Sequence, residues 1–540
     1  MSVTDLGGEK RIFLRKASGL IRTASGTDTF IYDLGLVSIG LGVGSLLFYG
    51  PAFYPQGDLI WACIIAGVAM ALIAFGFITW TITLPRSGGI YVFGSRILPP
   101  ALALTLSLVE ITAWLFYCAI AAYWIVILAL APMFSALSLL TGNETFLTIS
   151  KTMLQPWVTF LIGAAILILS HIVISYGMRF YLTVNKWVFV LAMASTILLI
   201  VTLSLYTRED FVANFNALVG PSLGVSDAYN AIIASGKEKG WGEPGFDLWQ
   251  TILVSNWPFL PLIGAAFSIA IGGEIKSVTR SQTFGMLGAV LTTTVAFVIT
   301  VWLALRVFGF EFLGTAVFNY LTATGGLTTP TDPSIALLTG LLTKSPLITV
   351  LTSIGLALWM WMWIPGMHTF GVRAIVAWSF DRVAPAQLGT ISEKYHTPIV
   401  AITVTTIVNL IFMALFVFTP WFSKIVILIE AAVLAWSVVL AAGIFFPYLR
   451  PELYETSPIA GKTVFGLPIM TVACFLGFIA AQFYFWTLFF DPNAAGHDPT
   501  QVAIVAGVFV LGLGFYYIMK LIRQSQGVDV TLAFKEIPIE

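Results

Sequence analysis

Residues 38–46 read SIGLGVGSL, with Gly40, Gly42 and Gly44 at alternate positions of an apolar run. Glycine inside a helix costs about 1 kcal/mol relative to alanine. Three at the centre of one run mark either close packing or an interrupted helix. A break near Gly42 would free the N–H groups of Val43, Gly44 and Ser45 at the positive end of a helix dipole, which suits a carboxylate. A second interruption lies in WPFLPLIGAAF, residues 257–267, with Pro258, Pro261 and Gly264. There the preceding half-helix would end near Phe259 in unpaired carbonyls, which suit an ammonium group. Amides on one side and carbonyls on the other fit a zwitterion. Half of such a site would serve a small organic acid or an amine. Gly and Pro are also common in membrane helices, and small residues let helices pack closely. For Gly40–Gly44 both readings stand, and the paired interruption in the sixth helix favours binding.

Ionisable residues supply the other chemistry. Glu110, His171 and Glu430 fall well inside apolar runs. A charge at the bilayer centre costs roughly 2.5–3.5 kcal/mol, so such residues face inward or line a path. Glu110 and Glu430 would each sense an ammonium or carry a proton; the competing reading is a protonated glutamate bonded to a neighbouring helix. Glu430 lies six residues from Lys424, near the outer surface. His171 reads as a packing residue, and His368 receives no role. Trp359, Trp361 and Trp363 alternate within ALWMWMWIPG, residues 357–366, so they do not share one helix face. Trp361 is a candidate lid over an apolar side chain, with packing bulk as the competing reading.

The elements that must hold these residues follow from composition. Hydrophobic residues make up 58% of the chain and charged residues 10%, and mean hydropathy is +0.94. A soluble chain is nearer half apolar and a quarter charged, so this one belongs in a bilayer. A membrane helix needs about 20 apolar residues. Twelve runs meet that length, near 29–50, 59–83, 101–131, 157–176, 186–206, 249–275, 284–308, 346–378, 398–418, 424–446, 467–489 and 501–521. Placing the N-terminus in the cytoplasm puts 19 of the 26 Lys and Arg residues on that side, as the positive-inside rule requires. The first thirty residues are polar and lack the apolar core of a signal peptide. Both termini are therefore expected in the cytoplasm. The first helix runs outward and the sixth inward, so helices 1–5 and 6–10 have the opposite topology of an inverted repeat. The expected organisation is a tail (1–28), a first half (29–206), an outer loop (207–248), a second half (249–446), helices 11 and 12 (447–521) and a C-terminal tail (522–540).

Several short segments resemble those of the amino acid–polyamine–organocation transporters, the amino acid permease superfamily. LPRSGGIY, residues 84–91, is similar to its P-x-S/A-G-G-x-Y signature after helix two. RAIVAWSFDRVAPAQLGTISEKYHTP, residues 373–398, is similar to its segment after helix eight, with Arg373, Asp381, Arg382, Pro385, Thr397 and Pro398 in the motif places. GGEIKSVTRS at 272–281 resembles the E-x-K-N-P-x-R-S segment, and GVGSLLF at 42–48 resembles G-S-G-I-F in helix one. The resemblance spans about residues 25–450. It implies an all-α, LeuT-like five-plus-five inverted-repeat core with broken helices 1 and 6, plus helices 11 and 12. It also implies transport of an amino acid or polyamine by alternating access. The implied substrate positions are Gly42, Val43, Gly44 and Ser45, with Leu260, Pro261, Ile263 and Gly264 at the helix-six break. Aligning Glu274 with an earlier family glutamate would instead move that break to 268–272.

Departures from the pattern matter too. The acidic residue usual in helix two is replaced by ITWTIT, and helix five has no lysine in its middle, Lys186 sitting at its start. Proton coupling through a helix-five amine is therefore not expected; H+ or Na+ coupling by other means stays open. Thr352, Ser353 and Thr369 lie away from the centre of the Trp cluster, which argues against a sodium site. Glu274 and Asp381 are candidates for inner-gate ion pairs with Arg86, Arg382 and Lys276; the alternative is that these cations are topology signals. Asp33 would join such a gate or only cap helix one. Cys63, Cys118 and Cys474 lie in apolar runs without disulfide or metal spacing. Zero net charge suggests no nucleic-acid partner. No cofactor, metal, nucleophile–base pair or phosphate loop is expected, which sets a membrane enzyme aside, and no ring of like charges suggests a channel. The expected partners are the lipid bilayer and a small substrate, an amino acid or related amine. The scarcity of charge at the expected site favours a neutral, apolar amino acid.

Overall fold

The computed structural model describes residues 20–322, 327–329, 331–419, 428–493, 498–530 and 534. Among the described residues, twelve helices are long and apolar enough to span a membrane: α1 (Gly26–Phe53), α2 (Leu59–Thr83), α3 (Pro100–Thr141), α4 (Pro156–Ser175), α5 (Met178–Leu205), α6 (Leu248–Ala270), α7 (Val278–Phe308), α8 (Pro346–Phe380), α9 (Ile399–Phe418), α10 (Leu428–Leu449), α11 (Ile469–Phe490) and α12 (Pro499–Ser525). Within lipid the backbone must satisfy its own hydrogen bonds, so helices are the form these runs take. Their starts carry ordinary signals. Asp58 accepts from the N–H groups of Ile60 and Trp61, and Ser25 and Asp28 form a capping box at α1. Pro100, Pro156 and Pro346 sit in first turns, where a missing N–H costs nothing. The strand pair described is a two-residue hairpin at Thr463–Val464 and Leu467–Pro468.

Burial separates a core from a rim. In its most apolar window α6 is 89% buried and α12 only 17%. α1, α3 and α10 follow α6 inward, while α4, α5 and α9 present large apolar side chains such as Trp187, Leu191 and Ile407 outward. An apolar rim without a polar coat is a lipid-facing surface. The chain is a multi-pass membrane protein.

Two faces cap the bundle. On one, called here the loop face, the segment 207–248 is not an open loop: it forms helices Arg208–Leu223 and Ala228–Glu238. Trp241 Nε1 from this segment donates to the Pro51 carbonyl at 3.0 Å, and Tyr54 donates to Asp491, which also accepts from Asn256. On the opposite, termini face, Thr23 and Ala24 donate to the Glu274 carbonyl at 2.9 and 3.0 Å. Arg523 Nε donates to the Arg382 carbonyl there at 3.0 Å.

Both expected interruptions exist, with different edges. α1 breaks at Ser38, not near Gly42. Ser38 takes φ 54° between helical segments Gly26–Val37 and Ile39–Phe53, a left-handed conformation uncommon outside glycine. The Gly42 N–H already bonds the Ser38 carbonyl at 3.1 Å, so Val43, Gly44 and Ser45 lie in a regular helix and their amides are not free. The glycines serve packing instead. A Cβ on Gly42 would lie 2.1 Å from Phe297, and one on Gly40 would lie 2.9 Å from Trp359. Gly44 alone of the three is roomy, its nearest neighbour 4.0 Å away. α6 keeps α-geometry to Leu262, then tightens into a 3₁₀ stretch over Ile263–Ala270 and turns at Ile271. Pro258 and Pro261 remain inside the α-helical part, as does Leu260, so the irregular run overlaps the expected break only from Ile263 on, and the alternative at 268–272 only through Ala270.

Candidate functional site

The two interruptions meet. A Cβ on Gly264 would lie 2.0 Å from the Leu36 carbonyl oxygen, so only glycine allows the irregular run of α6 to touch the end of the first α1 segment. Helix termini leave backbone groups without helical partners. At the break the Ser38 N–H bonds the Gly35 carbonyl at 3.2 Å, and Ile39, Gly40 and Leu41 form the first turn of the next segment, ahead of the first helical bond at Gly42. The amide edge lies three to four residues earlier than the motif match places it. Val43 keeps a place: with Ile39, Gly40, Thr196, Thr300 and Trp359 it lines a cavity of about 30 Å³ beside the break. That is room for about one water molecule. Leu260, Pro261 and Ile263 are buried where α6 passes from α to 3₁₀ geometry, and Ser45 Oγ turns back to the Gly42 carbonyl at 3.4 Å.

Asp33, one turn before the break, ties the two helices together. It is fully buried. Its Oδ1 accepts the Ser268 N–H at 2.9 Å, and its Oδ2 lies 2.8 Å from Ser268 Oγ. Gln282 of α7 completes the cluster: its Nε2 donates to the Ser268 carbonyl at 3.1 Å, and its Oε1 lies 2.6 Å from the same Ser268 hydroxyl. The carbonyl only accepts, which fixes the amide orientation. A hydroxyl has one hydrogen to give. Both contacts to Ser268 Oγ are therefore hydrogen bonds only when a proton sits on Asp33 Oδ2. Asp33 does not cap α1, whose N-cap is Ser25. A polar residue in an apolar helix was the signal available for it, but Ser268 and Gln282 carried none.

The termini face holds two buried ion pairs. Arg373 binds Glu274 through Nε at 2.7 Å and Nη2 at 3.1 Å, and Arg96 binds Asp381 at 3.1 and 3.4 Å with Tyr91 donating at 3.0 Å. The carboxylates match the sequence candidates; the cations that hold them do not. Among the described contacts, the cations on Glu274 and Asp381 are Arg373 and Arg96. Arg382 instead turns the chain with φ 61°, its carbonyl accepting from Arg523.

The remaining candidates are scattered. Glu110 is fully buried, with Oε1 2.5 Å from Trp436 Nε1 and Oε2 without a partner among the described residues. Its partner Trp436 packs in turn against Trp114 and Phe267. Phe267 belongs to the irregular run of α6, so Glu110 stands one aromatic layer from the junction. Glu430 is buried in the first turn of α10; Lys424 lies outside the described residues. Trp361 is buried, with its Nε1 unpartnered among the described residues, while Trp359 donates to Thr196 and Trp363 stacks on Trp124. His171 shares a hydrogen bond with Thr406 at 2.8 Å and His368 with Thr405 at 2.7 Å, as packing residues do. The three cysteines are free and buried.

Twelve membrane-length apolar helices among the described residues mark a multi-pass membrane protein, and the comparison with protein families names its kind. No curated protein matches the chain. The family model described as amino acid permease matches residues 33–514, from Asp33 through most of α12, and the chain belongs to that family of membrane transporters.

Proposed function

We propose that this permease carries an amino acid across the plasma membrane by alternating access, with the substrate held at the membrane midplane between interrupted α1 and α6. One observation carries the reading: the break at Ser38 and the 3₁₀ run of α6 touch at Leu36 and Gly264. The end of one helical segment and the start of the next at one buried place suit an ammonium and a carboxylate together. The surroundings are uncharged, with Val43, Leu356 and Trp359 beside the hydroxyls of Ser195, Thr196, Thr300, Thr339 and Thr352, which favours a neutral side chain. Backbone contact without an intervening cavity at Gly264 fits a closed state, which must part to admit substrate. The alternation is that of two inverted halves, α1–α5 and α6–α10, with both termini in the cytoplasm. Glu274–Arg373 and Asp381–Arg96 then form the inner gate.

The proton on Asp33 is the coupling ion of this reading. Losing it would place an unpaired charge between α1 and α6 and strip one hydrogen bond from Ser268, which loosens the helices that must part. The charged neighbours are already committed: Asp28 pairs with Lys186 of α5, and Glu274 with Arg373 of α8. Tyr32 donates to the Gly366 carbonyl. The sequence candidates Glu110 and Glu430 are secondary, since neither touches both interrupted helices.

The test is uptake into proteoliposomes of radiolabelled amino acids and polyamines, under a proton gradient, a sodium gradient or neither. Saturable uptake of neutral amino acids driven by the proton gradient is expected. Uptake of only polyamines, or only of cationic amino acids, overturns the substrate reading. Uptake that needs nothing but internal substrate makes the protein an exchanger and removes the coupling role of Asp33.

A further inference from the structure

A second cavity, of about 230 Å³, opens at the loop face, away from the α1–α6 junction. Its walls are Tyr49 of α1, Tyr123 of α3, and Tyr320 with Asp332 from the segment between α7 and α8. Leu154, itself exposed, stands at its rim. From Ile39 at the break to Tyr49 is ten residues of helix, about 15 Å at 1.5 Å per residue.

Asp332 is the unusual member. It is 9% exposed, and its Oδ1 has no hydrogen-bond partner among the described residues. Thr331 Oγ1 beside it is also buried without a partner. Among the described residues no Lys or Arg lines the cavity. A buried carboxylate normally has a cation or several donors against it. Here it shares the cavity lining with Tyr49, Tyr123 and Tyr320, and aromatic rings attract cations. A bare metal ion would require several oxygen ligands, most of them carboxylate or carbonyl, and among the described residues this wall offers one carboxylate beside the neutral hydroxyls of Thr331 and the three tyrosines. The volume is several water molecules and short of a drug-sized pocket.

We propose that this cavity is a binding site for a small organic ammonium ion, with Asp332 as counter-charge and Tyr49, Tyr123 and Tyr320 as its aromatic walls. The site does not rest on the transport reading, because occupancy is measured without transport. Burial pushes the Asp332 carboxyl up to about 8, so a cation entering at neutral pH displaces a proton. The other ionisable groups on the wall, among the described residues, are the three tyrosine hydroxyls, and that of Tyr320 is itself pushed up to about 12.

Trp257 supplies the readout, because its ring stacks on Tyr49 with centroids 4.2 Å apart. The full-length protein in detergent is titrated with tetramethylammonium and ethylammonium, and the fluorescence is compared with that of Trp257→Phe. A saturable change specific to Trp257 is expected at pH 9. Apparent affinity should fall about tenfold per pH unit below the carboxyl's titration. Asp332→Asn should abolish binding at every pH, and Tyr320→Ala should weaken it several-fold with the acid intact. Equal affinity in wild type and Asp332→Asn overturns the proposal. So does equal binding of neutral tert-butanol, or the absence of any saturable signal from folded wild type at pH 9.

Discussion

Arg373 grips Glu274 with two parallel hydrogen bonds, from Nε and Nη2 to the two carboxylate oxygens, between residues 3% and 1% exposed. The pair joins α8 to the end of the irregular α6 run, and the Glu274 carbonyl holds Thr23 and Ala24 at the start of the described chain. Removing one member leaves the other charge buried alone, which costs about 3–5 kcal/mol, whereas replacing both is far milder. Arg373→Met is therefore expected to destabilise by that amount. The double variant Glu274→Gln/Arg373→Met should recover much of the loss. Thermal unfolding of the three proteins in one detergent measures it; additive losses would show that the pair acts as two separate residues.

Gly264 and Gly44 make opposite predictions from the same residue type. A Cβ on Gly264 meets backbone at 2.0 Å, which no side-chain rotation relieves, whereas one on Gly44 finds its first neighbour at 4.0 Å. Gly264→Ala is expected to cost about 1–3 kcal/mol through forced separation of α1 and α6, and to abolish uptake. Gly44→Ala should be neutral or stabilise by up to about 1 kcal/mol, since alanine is the better helix former. Unfolding and uptake measured on both variants separate packing from function. Full activity in Gly264→Ala would refute the close junction.

The contrast bears on what the sequence made legible. Twelve spans were readable because about 20 apolar residues are a strong signal, and most span ends agree with the helices to within a few residues. That α1 and α6 are interrupted was also readable, from their glycines and prolines. The position of the α1 break was not. Ser38 carries no turn signal, and the glycines nearby answer to Phe297 and Trp359, partners more than 250 residues away. The carboxylates Glu274 and Asp381 stood out in motif segments; their cations depended on which loop arginine tertiary packing brings near. Ser268 and Gln282 looked like ordinary polar residues until the fold placed both on Asp33.

Asp33→Asn tests the proton count directly. An asparagine amide supplies to Ser268 Oγ the hydrogen that a protonated carboxyl supplies, and its oxygen still accepts the Ser268 N–H. The variant should keep wild-type stability, while Asp33→Ala loses about 1–3 kcal/mol by leaving donors unmet. In infrared difference spectra, wild type minus Asp33→Asn should contain the C=O stretch of a protonated carboxyl. Uptake by the variant should lose its dependence on a proton gradient and keep exchange. A carboxylate band in place of the protonated one would mean that Asp33 is ionised and would remove it from coupling.

Glu110 decides between carriage and structure through its one described partner. Trp436→Phe removes the donor to Oε1 and leaves both carboxyl oxygens of a fully buried residue unmet. A loss of about 1–3 kcal/mol is expected. Glu110→Gln retains an oxygen to accept from Trp436, so it should stay within about 1 kcal/mol of wild type. The two variants then separate the readings. If Glu110 only ties α3 to α10, uptake follows stability: Glu110→Gln transports normally and Trp436→Phe transports poorly in proportion to its loss. If Glu110 moves a proton, Glu110→Gln loses gradient-driven uptake at least tenfold while its unfolding temperature holds. The position of Asp33 at the junction favours the first outcome, because only one proton site is needed where α1 and α6 part.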